Sequence, residues 1–245
     1  MSQRIPALQV LSIEDVHHQF GKSSEVLRGI TLGFEESRMT AIMGPSGSGK
    51  STLMNCMSGL LKPTKGRVLY RGSDLARLGR RSLDRLRRKS WGFIFQSYNL
   101  IDALTAVDNV KLPALFDGAR MSQGVALDAL GRVGLAEFGL RYPDQLSGGQ
   151  CQRVAIARAL ATERDIVFAD EPTGALDSVS RREVMQNLSG LSRSECTVVL
   201  VTHDPTVAAE ASRVVFLYDG EVAGDESGLS ASEISGRLAD LEARR

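Results

Sequence analysis

Gly44-Pro45-Ser46-Gly47-Ser48-Gly49-Lys50-Ser51 is the stretch that decides the fold. It follows the apolar run Met39–Met43, which predicts a buried strand, and it leads into a helical pattern over residues 50–60. Glycines allow successive backbone N–H groups to converge on phosphates, and the start of a helix adds the positive end of its dipole. We therefore predict a phosphate-binding loop between a strand and a helix.

The side chains at the end of this loop supply a positive charge and a metal ligand. Lys50 is expected to bridge the phosphates, and the Ser51 hydroxyl is expected to ligate Mg²⁺. Thr52 follows directly and is included among the nucleotide contacts. Kinases, GTPases, helicases and transporters all carry such loops, so this motif alone leaves the class of protein open.

A second glycine motif, Leu146-Ser147-Gly148-Gly149-Gln150, narrows the class. It precedes a helical pattern over residues 153–161. Ser147, Gln150 and the backbone N–H groups of Gly148 and Gly149 therefore predict a second anion site at a helix start. One chain would then carry two half-sites for phosphate.

Length and composition predict one globular domain. With 245 residues, 42% of them hydrophobic, the chain can bury an ordinary core. The formal net charge of +1 gives no overall basic field, which argues against nucleic acid as a partner. The cysteines Cys56, Cys151 and Cys196 lack metal-ligand spacing, which favours a reducing compartment. No run approaches the roughly 20 apolar residues that cross a bilayer, so if the protein serves a membrane, another chain must supply the spanning helices.

The order of apolar patterns predicts an α/β fold with a mostly parallel sheet. Residues 26–34 alternate with period two, which is typical of antiparallel strands with one wet face. Helical spacing takes over at 100–140, and compact strand-like runs return at 166–169 and 197–201. Apolar residues at helical spacing over 230–245 predict a terminal docking helix.

These motifs together resemble the ATP-binding subunits of ABC transporters, from residue 20 to about residue 220. The resemblance implies an ABC ATPase fold: a mostly parallel phosphate-loop core sheet, an antiparallel β subdomain and a helical signature subdomain at about 97–162, within a single domain spanning 1–245. It implies ATP and Mg²⁺ as cofactors. It also implies two partners, a membrane permease and a second copy or a homologous ATPase in a head-to-tail dimer. The implied location is the cytoplasmic face of the bacterial plasma membrane, through the permease.

By the same resemblance, Asp170 holds Mg²⁺ through water and Glu171 polarises the water that attacks ATP. The spacing supports these roles, because a buried strand that ends in two carboxylates places one beside the metal and the next one residue further on. Adjacent acids after a strand are also common as a helix cap, and that alternative stays open.

Two further polar residues resemble parts of the same catalytic site. Gln96 resembles the glutamine that touches Mg²⁺ and water while hinging the helical subdomain. His203 resembles the switch histidine that hydrogen-bonds the γ-phosphate. A histidine at a strand end is otherwise a surface or cap residue, so only its place after the second carboxylate motif supports the catalytic role.

The remaining contacts implied by the resemblance lie near the nucleotide base and the opposite subunit. Phe20 resembles the aromatic residue that stacks on adenine, although a position in the core is an equal alternative. Residues 175–177 resemble the loop that contacts the other subunit, with Asp177 as its polar residue.

Residues 91–100 and 105–113 resemble the bacterial branch that includes macrolide exporters, lipoprotein-release complexes and the cell-division ATPase. These proteins work by mechanotransmission through a permease. Two functions therefore stay open: ATP-driven dimer closure that moves a permease for transport, and regulation of an extracytoplasmic process without solute transport. A soluble ABC protein of DNA maintenance or translation would need a coiled-coil insert or a second cassette, and the sequence has neither.

The run Arg80-Arg81-Ser82-Leu83-Asp84-Arg85-Leu86-Arg87-Arg88-Lys89 predicts a basic helical surface. Anionic lipid headgroups or a permease loop would suit such a surface, and a merely solvated face is the simpler interpretation. The motifs above leave this run without a role.

Overall fold

The computed structural model describes residues 9–21, 24–174, 176–193 and 196–243. The strands are β1 (Gln9–Gln19), β2 (Glu25–Glu35), β3 (Met39–Met43), β4 (Lys65–Tyr70), β5 (Ser73–Asp74), β6 (Trp91–Ile94), β7 (Ile166–Asp170), β8 (Thr197–Val201), β9 (Arg213–Tyr218) and β10 (Glu221–Ser227). The α-helices are α1 (Lys50–Met57), α2 (Arg80–Ser90), α3 (Ala106–Phe116), α4 (Gln123–Arg132), α5 (Gly148–Leu160), α6 (Ser178–Arg193), α7 (Pro205–Ala208) and α8 (Ala231–Glu242).

A six-stranded sheet in the order β10-β9-β3-β8-β7-β6 forms the centre of the molecule. Strands β9, β3, β8, β7 and β6 are parallel to their neighbours, and only β10 is antiparallel. Every residue of β3 and β8 is buried, which explains why both read as unbroken apolar runs. The predicted mostly parallel core sheet is confirmed. The residues that follow the carboxyl ends of these parallel strands therefore lie at the same edge of the sheet.

A second, antiparallel sheet in the order β2-β1-β4-β5 covers the amino-terminal region. Strand β1 pairs with both β2 and β4, so that Ile13 lies opposite Leu32 on one side and Val68 on the other. These apolar residues are buried in a core shared with α1 and the central sheet. The antiparallel sheet predicted from the alternation at 26–34 is confirmed.

Helices α3, α4 and α5 pack on one another between residues 97 and 162. Small and branched residues such as Val110, Ala126 and Val154 fill the space between them. Among the described residues of this segment there is no strand. This agrees with a helical insertion, whose boundaries stay a prediction. None of the helices that the structure describes combines the length and apolar character needed to span a bilayer.

The structure corrects the end of one helix and adds a β-hairpin. Helix α1 ends at Met57 rather than near residue 60, because Ser58 caps it and Gly59 turns the chain with φ +62°. The hairpin of β9 and β10 is not among the predicted elements. Strand β9 is a short apolar run, whereas β10 is polar, with the charged residues Glu221, Asp225 and Glu226. Helix α8 buries Ile234 and Leu241, in agreement with the predicted docking helix; residues 244 and 245 lie outside the described part.

Candidate nucleotide site

The phosphate loop connects the buried strand β3 to helix α1. Two of its glycines are required by geometry. A Cβ atom on Gly44 would lie 2.1 Å from the Leu217 carbonyl oxygen, and Gly49 adopts φ +98° at the N-cap of α1. Since both positions exclude ordinary side chains, the backbone N–H groups stay accessible to an anion.

Lys50 is held inside this loop by the loop itself. Its Nζ donates to the carbonyl oxygens of Gly44 at 2.8 Å and Pro45 at 2.9 Å. Burial lowers the pKa of Lys50, while the nearby charges of Glu171 and Asp170 raise it. The ammonium group is therefore fixed beside two carboxylates, and a bound phosphate chain would interact with the same positive charge.

Asp170, the last residue of β7, pairs with Ser51 across the pocket. The Ser51 hydroxyl hydrogen-bonds the Asp170 carboxylate, which lowers the pKa of Asp170. Burial and the charge of Glu171 raise that pKa, and burial is the largest cause. A hydroxyl and a partly buried carboxylate are hard oxygen ligands that suit Mg²⁺, and a divalent cation would offset the cost of burying the charge. These residues fit the predicted metal.

Glu171 adopts a left-handed backbone conformation, with φ +46°. Such a φ costs a residue other than glycine roughly 1–2 kcal/mol. The conformation is fixed by the Glu171 N–H, which donates to the Val201 carbonyl at 2.9 Å. The turn places the carboxylate, only 13% exposed, against the His203 ring, where Oε1 lies 2.8 Å from Nδ1. Adjacent strand ends thus deliver Glu171 and His203 as a pair.

One pocket of about 380 Å³ brings most of the predicted residues together. Its lining contains loop residues, both carboxylates and the two polar residues that the resemblance singled out. The lining residues are Val26, Ser46, Gly47, Gly49, Lys50, Ser51, Thr52, Gln96, Asp170, Glu171, Val201 and His203. Gly44, Pro45 and Ser48 complete the loop behind this lining. The helix-cap interpretation of the two acids is not needed, since both face the pocket.

The signature motif lies elsewhere in the chain, at the start of α5. Ser147 is the N-cap of this helix, and its Oγ accepts from the Gln150 N–H at 3.3 Å. The Gln150 side chain accepts from the Ser147 N–H at 2.9 Å. No residue from 147 to 150 belongs to the pocket lining within the described part of the chain. A single chain therefore holds its two predicted anion sites apart from each other.

Phe20 and Asp177 also lie outside the pocket lining. The Phe20 side chain is 52% exposed and packs edge-on against His18 at 4.6 Å, so the alternative position in the core is wrong. Asp177 caps α6: its Oδ1 accepts from the N–H groups of Val179 and Ser180, which lowers its pKa. Its contact with a second subunit stays a prediction. Ala175 of the same loop lies outside the described residues.

Sequence reasoning missed Arg158, which ties the Gln96 loop to the signature helix. Tyr98 and Asn99 both have left-handed backbones, with φ +61° and +49°. The Arg158 guanidinium donates to their carbonyl oxygens at 2.9 Å and 2.6 Å, and burial lowers its pKa. An arginine inside a helical run has no pattern that identifies such a partner.

Tyr98 provides the second link between this loop and the signature motif. A Cβ atom on Gly148 would lie 2.9 Å from the Tyr98 hydroxyl oxygen. The glycine therefore lets the tyrosine ring approach the first turn of α5. Residues 96–98 of this loop therefore connect the pocket, which Gln96 lines, with Gly148 at the start of α5.

Comparison with known proteins decides the family. A family model described as ABC transporter matches residues 27–174, more than half of the chain. The chain belongs to the ABC transporter family. It is an ATP-binding cassette with the ABC ATPase fold, and this family membership identifies it as an ATPase. The fold and cofactor ATP predicted from its motifs are thereby confirmed.

Curated relatives include macrolide export ATP-binding/permease proteins named MacB. The chain is 48% identical over 219 residues to that of Wolinella succinogenes, covering 89% of this chain and 34% of the relative. It is 45% identical over 233 residues to that of Escherichia coli K12, covering 94% and 36%. The chain therefore spans about a third of the length of these relatives.

Solved structures of similar cassettes match almost from end to end. A dimeric bacterial ABC transporter cassette is 42% identical with a TM-score of 0.84, and the match covers 90% of this chain and 99% of that chain. An ATP-binding cassette in a dimeric post-hydrolysis state, bound to ADP and Pi, is 41% identical with the same TM-score and coverage.

Proposed function

We propose that this cassette hydrolyses Mg-ATP between two copies arranged head to tail, or between one copy and a homologous ATPase, and that dimer closure moves a membrane permease. The observation that carries the proposal is the separation of the two anion sites in one chain. The pocket holds the phosphate loop and the carboxylates, whereas Ser147 and Gly148 begin a different helix. The dimeric state of similar cassettes supports completion of each site by the opposite protomer.

In this proposal each pocket residue has a defined task. Lys50 and the loop N–H groups bind the β- and γ-phosphates. Ser51, Asp170 and Gln96 would hold Mg²⁺, which would neutralise charge on the phosphate oxygens. Glu171 accepts a hydrogen bond from the attacking water and takes up its proton as the water oxygen bonds to the γ-phosphorus. The bond from that phosphorus to the oxygen shared with the β-phosphate breaks, and ADP and phosphate are the products.

His203 has two tasks that follow from its position. Its Nδ1 contacts Glu171 and holds that carboxylate in place, while the ring is 71% exposed and reaches toward the open side of the pocket. From there Nε2 can donate to the γ-phosphate. The N–H groups of Gly148 and Gly149 from the other protomer would then complete the anion site.

Coupling to a permease is supported by an apolar groove of about 490 Å³ beside the Gln96 loop. Phe93, Phe95 and the 64% exposed Phe116 form its apolar surface, and arginines such as Arg87 and Arg164 border it. We infer that an amphipathic segment of the permease with acidic side chains docks here, at the cytoplasmic face of the membrane. Phe116→Ser should leave the turnover of the isolated cassette unchanged and lower that of the cassette with its co-purified permease. Equal turnover in the complexes would contradict this docking.

The test of the proposed function uses the start of α5. In a Glu171→Gln background, ATP should produce a stable dimer, measured by light scattering. Adding Ser147→Ala should weaken this dimer and leave ATP binding by the monomer unchanged. Ser122→Ala is the matched control, because Ser122 caps α4 through the same 3.3 Å bond to a backbone N–H. Equal effects of both serine changes, or loss of monomer affinity with Ser147→Ala, would contradict the assignment.

A further inference from the structure

Helix α2 (Arg80–Ser90) presents a strongly basic outer face. Its apolar residues, Leu83 and Leu86, pack against the core beneath the antiparallel sheet. This packing turns Arg81 and Arg85, which are one helical turn apart, toward solvent. Lys89 continues the same line one turn further, and Arg80 lies beside its start.

We define the α2 basic face as Arg80, Arg81, Arg85 and Lys89. The neighbouring basic residues have partners: Arg87 pairs with Asp84, and Arg88 pairs with Asp117 at 3.5 Å. Within residues 9–21, 24–174, 176–193 and 196–243, the structure shows no ion pair for any member of the α2 basic face. Their charge is therefore turned outward.

Electrostatic interactions within the helix disfavour this arrangement of charges. Like charges one turn apart, as in Arg81 with Arg85 and Arg85 with Lys89, repel each other. Basic residues in the first turn also face the positive end of the helix dipole. The charges of Arg80, Arg81 and Arg85 therefore weaken the helix that carries them, and a ligand of opposite charge would offset this cost.

We propose that the α2 basic face binds anionic phospholipid headgroups and places the cassette directly on the membrane surface. Basic clusters are attracted to the negative surface of the cytoplasmic leaflet. The adjacent side of α2 supplies Asp84, Arg87 and Arg88 to the groove that we assign to the permease. The inference thus deepens the proposed function, because the same helix would border both the permease segment and the lipid around it.

The chemistry favours a lipid surface over nucleic acid. The described part of α2 contains no aromatic residue on which a base could stack, and the whole chain has a net charge of only +1. One row of long, flexible side chains suits a fluid layer of phosphate groups, which requires no fixed spacing between its charges.

The experiment is co-sedimentation of the full chain with vesicles. The chain should bind vesicles that contain phosphatidylglycerol more tightly than vesicles of phosphatidylcholine alone, and added salt should weaken that binding. The double variant R81S/R85S should lose roughly tenfold or more in affinity for the anionic vesicles. R81K/R85K keeps the charge and should keep the affinity.

A matched control removes the same charge elsewhere. Arg141 and Arg182 are exposed and lie outside α2, so R141S/R182S should retain most of the binding. Equal losses in both double variants would overturn the proposal, as would equal binding to both kinds of vesicle or tighter binding to duplex DNA. The vesicles contain no permease. A failure here therefore leaves the ATP-dependent dimer of the Glu171→Gln variant, which tests the proposed function, unaffected.

Discussion

The phosphate loop at the start of α1 and the signature motif at the start of α5 are both glycine-rich helix N-termini, but they are held by different means. The phosphate loop is tied to itself through Lys50 and follows a fully buried strand. The signature motif is largely exposed, and its support comes from Tyr98 and Arg158. One anion site is thus formed within the core, whereas the position of the other depends on a strained loop.

This difference indicates that the phosphate loop and the signature motif have different tasks. We expect the core site to bind nucleotide in a single chain, since Lys50, Ser51, Asp170 and Glu171 line one pocket. We expect the signature site to move together with the Gln96 loop, because Arg158 donates hydrogen bonds to the two residues that follow Ser97. Changes at the core should therefore affect chemistry or binding, and changes at the loop should affect assembly of the complete site.

The largest effect is expected for Glu171→Gln. Loss of the carboxylate should lower turnover by about 10² to 10⁴-fold, because the attacking water loses its proton acceptor. Nucleotide affinity should stay unchanged, since the phosphate loop is intact. Steady-state turnover and fluorescence titration with an ATP analogue measure the two quantities. Turnover at the parental rate would remove Glu171 from the mechanism.

A smaller effect is expected for Arg158→Ala, which frees the Tyr98 and Asn99 carbonyls. Turnover should fall by about 10²-fold, because catalytic groups are misplaced, while ATP affinity of the monomer should hold. The control is Arg153→Ala, an arginine of the same helix that pairs with Glu183 at 2.9 Å. That change should lower Tm with little loss of turnover per folded molecule. If both arginines behave alike, Arg158 has only a structural role.

Phe20→Ala tests the base end of the core site. Loss of a stacked aromatic contact is worth about 0.5–1.5 kcal/mol, which corresponds to roughly 2 to 10-fold in affinity. The KM for ATP should rise by that factor with kcat unchanged, and Phe20→Trp should restore it. A fall in kcat with constant KM would place Phe20 outside the adenine site.

The smallest effect concerns stability and pH. Because the pKa of Asp170 is raised, the folded state holds a proton that the unfolded state loses, so stability falls as pH rises above about 4 through the folded pKa. Asp170→Asn should therefore raise Tm by a few degrees at neutral pH, and the difference should vanish in acid. Scanning calorimetry across this pH range provides the measurement.

Asp177→Asn is the control of opposite sign for this prediction. Hydrogen bonds from Ser180 lower the pKa of Asp177, so its stabilising effect is present at neutral pH and is lost as pH falls through the folded pKa. The substitution should lower Tm at neutral pH. A constant Tm difference across the pH range for both variants would contradict the linkage.

The grouping of the core residues in one pocket could be predicted from the sequence because it depends on local structure. A buried strand, a glycine loop and a helix start are adjacent in the chain, and acids at the end of β7 follow an unbroken apolar run. Sequence reasoning could not find the links made by Arg158 and Tyr98. These depend on contacts across fifty to sixty residues and on left-handed backbones at positions that are not glycine.

The measurement that tests the central claim most directly is an experimental structure of the Glu171→Gln variant loaded with Mg-ATP. Our account predicts two nucleotides, each lying on the phosphate loop of one protomer and within hydrogen-bond distance of the Gly148 N–H of the other. Maps that place Gly148 far from every γ-phosphate, or beside the nucleotide of its own chain, would contradict it.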